Sequence, residues 1–263
     1  MHVSRIMIEA IDIYRHQGGL SGLSLSVEAG AVTAVLGPNG AGKSTLLDAL
    51  AGRSRVDAGE IRLDGRPIAT WSPRGLAKRR AFLPQIAEVA FPIPVLDLVA
   101  LGRSPYRGAQ DARFDTLAIE TALRLADAWH LRDRIYQRLS GGERQRVQLA
   151  RVVAQIWRPQ EQDGAPRMLL LDEPTASLDP GHRLAVMQLL RDLAADGIGV
   201  VIALHDLNDA LHFADHVVLL KQGCRHSAGK PEIVLNPQAL TAVYDAPAEI
   251  VQRTNGRSIV VFG

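Results

Sequence analysis

Cysteine is almost missing from this sequence: Cys224 is the single one among 263 residues. An intrachain disulfide is therefore impossible, and a reducing compartment is the expectation. Long hydrophobic runs are missing too. The longest candidates, such as Val200 to Leu204 and Met168 to Leu171, are strand-sized, far short of the roughly 20 residues that cross a bilayer as a helix. Charge of one sign is scarce, since 30 Lys and Arg face 28 Asp and Glu for a formal net charge of +2. That excess is too small to argue for nucleic acid, and no nucleic-acid partner is expected; an anionic membrane surface suits it equally. Met1-His2-Val3-Ser4-Arg5 leads into alternating residues rather than an apolar run, so no secretory signal is expected. What is present is 47% hydrophobic and 22% charged, ordinary for a globular chain with a substantial core. Its length fits one large α/β domain or one domain with a sizeable insertion.

The most informative stretch is Gly37-Pro38-Asn39-Gly40-Ala41-Gly42-Lys43-Ser44, a full match to the phosphate-binding P-loop pattern. Backbone N–H groups can surround a phosphate tail only where the chain curls tightly without bulky side chains. Lys43 would place an ammonium against the β and γ phosphates, and Ser44 would offer a hydroxyl to Mg²⁺. The flanks supply the context the motif requires: Ala31 to Leu36 reads as a buried strand, Thr45 to Leu50 as a helix, and Gly52 stands where a helix-ending glycine is expected.

Before the loop, Ile6 to Ile13 and Leu23 to Val27 alternate as antiparallel strands, and Tyr14 ends the first of them with an aromatic face that could stack on an adenine. After it, Gly59 to Gly65 reads as a strand entering a turn, and Arg80 to Gln85 as a strand ended by Pro84, with Gln85 at the strand-to-loop junction. Residues 86–158 turn helical in character. Leu117, Ile119, Ala122, Leu123, Leu125 and Ala126 suggest an apolar stripe there. The last helix of this segment opens at Leu139-Ser140-Gly141-Gly142-Glu143, a capping-box pattern whose glycine-rich N-terminus is a second candidate anion site.

Pro159 to Pro166 is polar and turn-rich, a loop. Met168 to Leu171 is then a buried strand that delivers Asp172 and Glu173 at its carboxyl end, one carboxylate to hold Mg²⁺ and the other to polarise an attacking water. Thr175 to Pro180 is a loop into a helix over Arg183 to Ala194, and Gly199 to Leu204 is a buried strand ending on His205, where parallel sheets bind ligands. Val217 to Leu220, the Lys221-Gln222-Gly223 turn and a helix near Pro237 to Tyr244 read as peripheral. Ile250 to Gln252 and Ser258 to Val261 flank Thr254-Asn255-Gly256, a hairpin signal.

Taken as an ordered set, Tyr14, Gly37 to Thr45, Gln85, Leu139 to Glu143, Met168 to Glu173, Ser177-Leu178-Asp179 and His205 resemble the ATPase subunit of an ATP-binding cassette (ABC) transporter over nearly the whole chain. The resemblance implies an α/β fold with a P-loop NTPase (RecA-like) core, an N-terminal antiparallel β subdomain and an inserted α-helical subdomain. It implies one ABC ATPase domain over 1–263, the insertion at 86–158 carrying the signature motif, and a C-terminal hairpin at 246–263. ATP and Mg²⁺ are the implied cofactors. Tyr14 and the whole loop Gly37, Pro38, Asn39, Gly40, Ala41, Gly42, Lys43, Ser44 and Thr45 would bind the nucleotide. Ser44, Gln85 and Asp172 would serve the metal, with Lys43, Gln85, Glu173 and His205 in the catalytic set. Ser140, Gly141, Gly142 and Asp179 would act on the ATP of a second copy, in a head-to-tail homodimer. Phe91-Pro92, Val95 to Leu101 and Gly102-Arg103-Ser104-Pro105-Tyr106 resemble the metal-chelate importers, and Ala154-Gln155-Ile156-Trp157 with the following polar loop is most similar to the haem branch. That implies integral membrane permease subunits as partners, indirectly a periplasmic or surface substrate-binding protein, and a peripheral place on the cytoplasmic face of the inner membrane. A ferric siderophore or cobalamin is the alternative cargo. Two further alternatives are a soluble ABC ATPase acting on nucleic acid or ribosomes, which would carry a coiled-coil insert or two cassettes, and a module that holds ATP without turnover.

Overall fold

The computed structural model describes residues 6–87, 89–108, 110–159, 165–254 and 256–263. The N-terminal pentapeptide, the centre of the Pro159 to Pro166 loop and Asn255 of the hairpin turn lie outside the described residues.

Strands β1 (Ile6–Arg15) and β2 (Leu20–Glu28) form an antiparallel hairpin, and β3 (Val32–Leu36) runs into helix α1 (Lys43–Leu50). Strand β4 (Ala58–Leu63) and the two-residue β5 (Arg66–Pro67) complete a four-stranded sheet in the order β2-β1-β4-β5. Helix α2 (Pro73–Arg79) precedes β6 (Arg80–Leu83), and α3 (Val95–Ala100), α4 (Asp115–Leu125) and α5 (Gly141–Ile156) follow. The chain then alternates through β7 (Arg167–Asp172), α6 (Pro180–Ala195), β8 (Ile198–Ala203), α7 (Leu207–Phe213) and β9 (His216–Lys221). It ends with β10 (Cys224–Gly229), α8 (Pro231–Val234), α9 (Pro237–Tyr244) and the hairpin β11 (Ala248–Gln252) and β12 (Ser258–Phe262).

Six of these strands make the central sheet, in the order β10-β9-β3-β8-β7-β6, with every neighbouring pair parallel except β10 against β9. Parallel strands covered on both faces read as continuous apolar runs, which is why β3, β7 and β8 are legible as buried without any alternation. The alternation reappears in the packing. Val35, Leu170, Val201 and Val218 join one apolar cluster with α1 and the β1–β2 hairpin, while Leu36, Leu171, Ile202 and Leu219 join the other, with α3 to α7 and α9. The loops after β3, β6, β7 and β8 all leave the carboxyl edge of this sheet, where open α/β sheets hold ligands.

Three expectations are corrected. Val217 to Leu220, read as peripheral, is strand β9, paired directly with β3 from Thr33↔His216 to Leu36↔Leu219 and almost fully buried. A four-residue apolar run looks the same at an edge and beside the centre, and only the long-range pairing decides. The stripe on α4 is narrower than expected: Ala118, Ala122 and Leu123 are buried, whereas Leu117 is 52% and Leu125 44% exposed. Helix α6 begins at Pro180 because Asp179 accepts from the His182 N–H at 3.0 Å and proline suits the first turn.

Candidate functional site

The phosphate-binding loop is built by close approach. At Gly37, φ is 149°, and a Cβ there would lie 2.4 Å from the Leu220 carbonyl oxygen of the adjoining β9, so no larger residue fits. The Ala41 N–H donates to the Pro38 carbonyl at 3.1 Å, closing the turn. Gly223, just past β9, donates its N–H to Ala41 O and accepts from Ser21 N–H, each at 3.0 Å. The turn read as peripheral thus ties the loop to the β1–β2 hairpin. Gly42, with φ 97°, precedes α1 without a side-chain cap, leaving first-turn N–H groups for an anion. Lys43, 5% exposed, donates from Nζ to the carbonyls of Gly37 at 2.8 Å and Pro38 at 3.2 Å. Burial pushes its pKa below the usual lysine value, and the nearby carboxylates of Glu173 and Asp172 oppose that shift.

A cavity of about 590 Å³ opens over this loop. It gathers Asn39 through Thr45 with Gln85, Glu173 and His205, four chain segments that the sequence keeps far apart. Gly18 and Gly19 line it as well and were not singled out from the sequence. A Gly-Gly pair between two alternating runs does signal a turn. Nothing local says that this turn presses on Thr45, whose Oγ1 would stand 2.6 Å from a Cβ at position 18.

Asp172 ends β7 at 4% exposure, and burial is the main reason its pKa is raised; the Ser44 hydroxyl bonded to it pulls the other way. Its Oδ1 is buried with no hydrogen-bond partner among the described residues. An orphaned carboxylate oxygen beside a serine hydroxyl at a phosphate site fits a hard divalent cation, which takes oxygen ligands and keeps waters and phosphates in its shell. Glu173, the next residue, has φ 52°, a left-handed backbone that costs a non-glycine residue about 1–3 kcal/mol. That turn swings its carboxylate toward the cavity, where Oε2 accepts from Gln85 Nε2 at 2.7 Å and Oε1 meets His205 Nε2 at 2.5 Å. The side chain of Glu173 is 9% exposed and that of His205 50%, so the pair spans from the protected floor to the open mouth.

Three predicted groups lie away from this cavity. Tyr14 is half-buried on β1 with its hydroxyl against Gly22, and it does not line the cavity. Ser140 caps α5 in a reciprocal box, Ser140 N–H donating to Glu143 Oε2 at 2.8 Å and Glu143 N–H to Ser140 Oγ at 3.3 Å. Those bonds hold the Glu143 carboxyl below the usual range. Ser140 and Gly141 are exposed, and Gly142 packs near Ser177 and Leu178. Asp179 lies just beyond that contact, its carboxyl held below the usual range by the His182 backbone N–H and, second, by the His182 ring at 2.5 Å. The α5 N-terminus and the start of α6 therefore meet at one surface, separate from the phosphate cavity of their own chain.

A family described as ABC transporter matches residues 20–176. The Hemin import ATP-binding protein HmuV of Pseudomonas putida is 46% identical over 241 residues, covering 90% of this chain and 92% of that protein. The protein of the same name from Escherichia coli O157:H7 is 45% identical, with 88% of each covered. Among solved structures, an inward-facing metal-chelate type ABC transporter superposes with a TM-score of 0.80 at 29% identity over 98% of both chains. A bacterial ABC transporter cassette solved as a dimer gives 0.74 at 27% identity, covering 86% of this chain and 99% of that one.

Proposed function

The chain belongs to the ABC transporter family as an ATP-hydrolysing subunit, and on that premise we propose that it drives haem import through a membrane permease. The observation that carries the mechanism is a separation. The cavity holding Lys43, Ser44, Gln85, Glu173 and His205 lacks any residue of the exposed α5 N-terminus, whose glycine-rich first turn is the complementary anion site. Two copies arranged head to tail would bring Ser140, Gly141 and Gly142 of one onto the phosphates held by the other, with Asp179 beside them.

Phosphoryl transfer depends on positioning and charge stabilisation more than on covalent help. Lys43 and the loop N–H groups hold the β and γ phosphates, and Tyr14 stacks on the base. Ser44 and Asp172, with Gln85 at the edge, would hold Mg²⁺, which when bound neutralises charge building on the phosphate oxygens. Glu173 orients and polarises the water, and His205 contacts the γ-phosphate while fixing the Glu173 carboxylate. Because the site is complete only when two copies close, ATP favours the closed dimer and hydrolysis releases it. The helical segment 86–158, with Gln85 and the exposed Ile86 and Phe91 at its start, is the part that meets the permease. The C-terminal hairpin 246–263 belongs to the same single domain, with Ala248 and Val260 packed in its core. None of the helices, among the described residues, is long and apolar enough to cross a membrane, which suits a subunit held at the cytoplasmic face by its permease and served by a separate binding protein.

Haem as cargo rests on the relatives named for hemin import. The test is ATP-dependent uptake into vesicles carrying the cognate permease, with haem, a ferric siderophore and cobalamin supplied separately. Haem accumulation is expected; uptake of only one of the other two would overturn the cargo, and uptake indifferent to Glu173→Gln would overturn the coupling. For the metal, Asp172→Asn should weaken Mg²⁺ binding to the ATP-loaded protein by about tenfold or more, read by titration with Mn²⁺ as a spectroscopic substitute. Unchanged affinity would remove Asp172 from the metal site.

A further inference from the structure

The last strand of the chain reaches the hydrolysis site through one helix. His205 is followed at once by α7, whose seven residues are too few to set their own direction. Its orientation has to come from what it touches. Asp206 caps it, accepting from Asn208 N–H at 2.8 Å. From one side Arg183 of α6 binds Asp206 and also Asp209, the latter at 2.6 Å. From the other side comes the C-terminal hairpin. The Asn208 carboxamide pairs with both backbone groups of Val260, Oδ1 accepting its N–H at 2.8 Å and Nδ2 donating to its carbonyl at 3.4 Å. One turn along, His212 Nε2 donates to the Ser258 carbonyl at 3.0 Å. An amide that reads a strand's N–H and C=O together acts as a short piece of neighbouring strand, fixing both distance and register.

The hairpin is itself anchored. An isolated two-stranded sheet is marginal in water, and this one leans on α9, with Tyr244 edge-on to Phe262 at 5.5 Å between centroids and Ala248 N–H donating to Thr241 Oγ1 at 3.2 Å. Between the hairpin and the catalytic pair lies a cavity of about 560 Å³, with Glu173 and His205 on one wall and Val260 and Phe262 on the other. The end of the chain thus both walls the space beside the site and grips the helix that carries the histidine.

We propose that Asn208 is a positioning residue for ATP hydrolysis: by clamping β12 to α7 it fixes the His205 imidazole against Glu173. This rests on the reading of Glu173 and His205 given above. Hydrolysis is sensitive to displacements of an ångström at the reacting groups, whereas the phosphate loop that dominates ATP binding is on another strand. Rate and affinity should therefore separate.

The test uses the purified full chain. In Asn208→Ala, kcat for ATP hydrolysis is expected to fall about tenfold or more, with KM within about twofold, ATP binding retained and the melting temperature nearly unchanged. The His205 ring resonances, assigned with a His205→Gln variant, should shift. Asn208→Asp keeps the acceptor for the Val260 N–H and should recover most of the rate. An unchanged kcat in folded Asn208→Ala overturns the proposal. So does a parallel fall in kcat, ATP affinity and melting temperature, which would make Asn208 a fold-stabilising residue only. If Glu173→Gln hydrolyses at the wild-type rate, the fault lies with the site reading beneath it.

Discussion

Glu173→Gln should lower ATP turnover about 10²- to 10⁴-fold while leaving ATP binding intact, and the protein should then elute as a stable dimer when ATP is present. The amide has the size of the carboxylate and can still meet Gln85 and His205, which lie 2.7 and 2.5 Å from the native oxygens. What it loses is the charge that polarises water. Binding energy that closes the dimer is retained, and the step that reopens it is blocked. Gel filtration with and without ATP, alongside phosphate release, reads both halves. A variant that stays monomeric with ATP would separate Glu173 from dimer release; one that hydrolyses normally would remove it from catalysis.

Lys43→Ala should cut ATP affinity by about 10²-fold, the scale of losing a charge-assisted contact in a dry site. Without nucleotide the cost to the fold is small, because the buried ammonium is already disfavoured enough to lower its pKa, and among the described residues it bonds two loop carbonyls. Thermal unfolding distinguishes the two effects. With ATP at 100 times the native Kd, the native protein gains about 2.7 kcal/mol; after a hundredfold loss the gain shrinks to about 0.4 kcal/mol. A variant still strongly stabilised by ATP would show that the loop N–H groups suffice and would demote Lys43.

The sequence exposes those groups whose geometry is local. The spacing from Gly37 to Ser44 is a turn between adjacent elements, Ser140 and Glu143 cap the same helix, and Asp172 and Glu173 end an unmistakable apolar strand. Each depends on residues within a few positions. Gly18, Gly19 and Gly223 stay hidden because their importance comes from approach across the fold: Gly223 is read as an ordinary hairpin turn until β9 is known to lie beside β3. Leu117 and Leu125 mislead for the complementary reason, since an apolar residue on a helix does not announce whether a neighbour will cover it. Asn208 is the extreme case. An asparagine in a helix opening is usually a local cap, and its bond to a strand some fifty residues on is written nowhere nearby.

The left-handed backbone at Glu173 sets the chain's stability against its purpose. A glycine would occupy φ 52° without steric cost and relax the strain, yet it would delete the carboxylate in the same step. Selection for thermal robustness alone would thus find one of its nearest gains at the residue proposed to turn ATP over. A stabilised descendant chosen without an activity screen would emerge as a sturdier nucleotide clamp that never lets go.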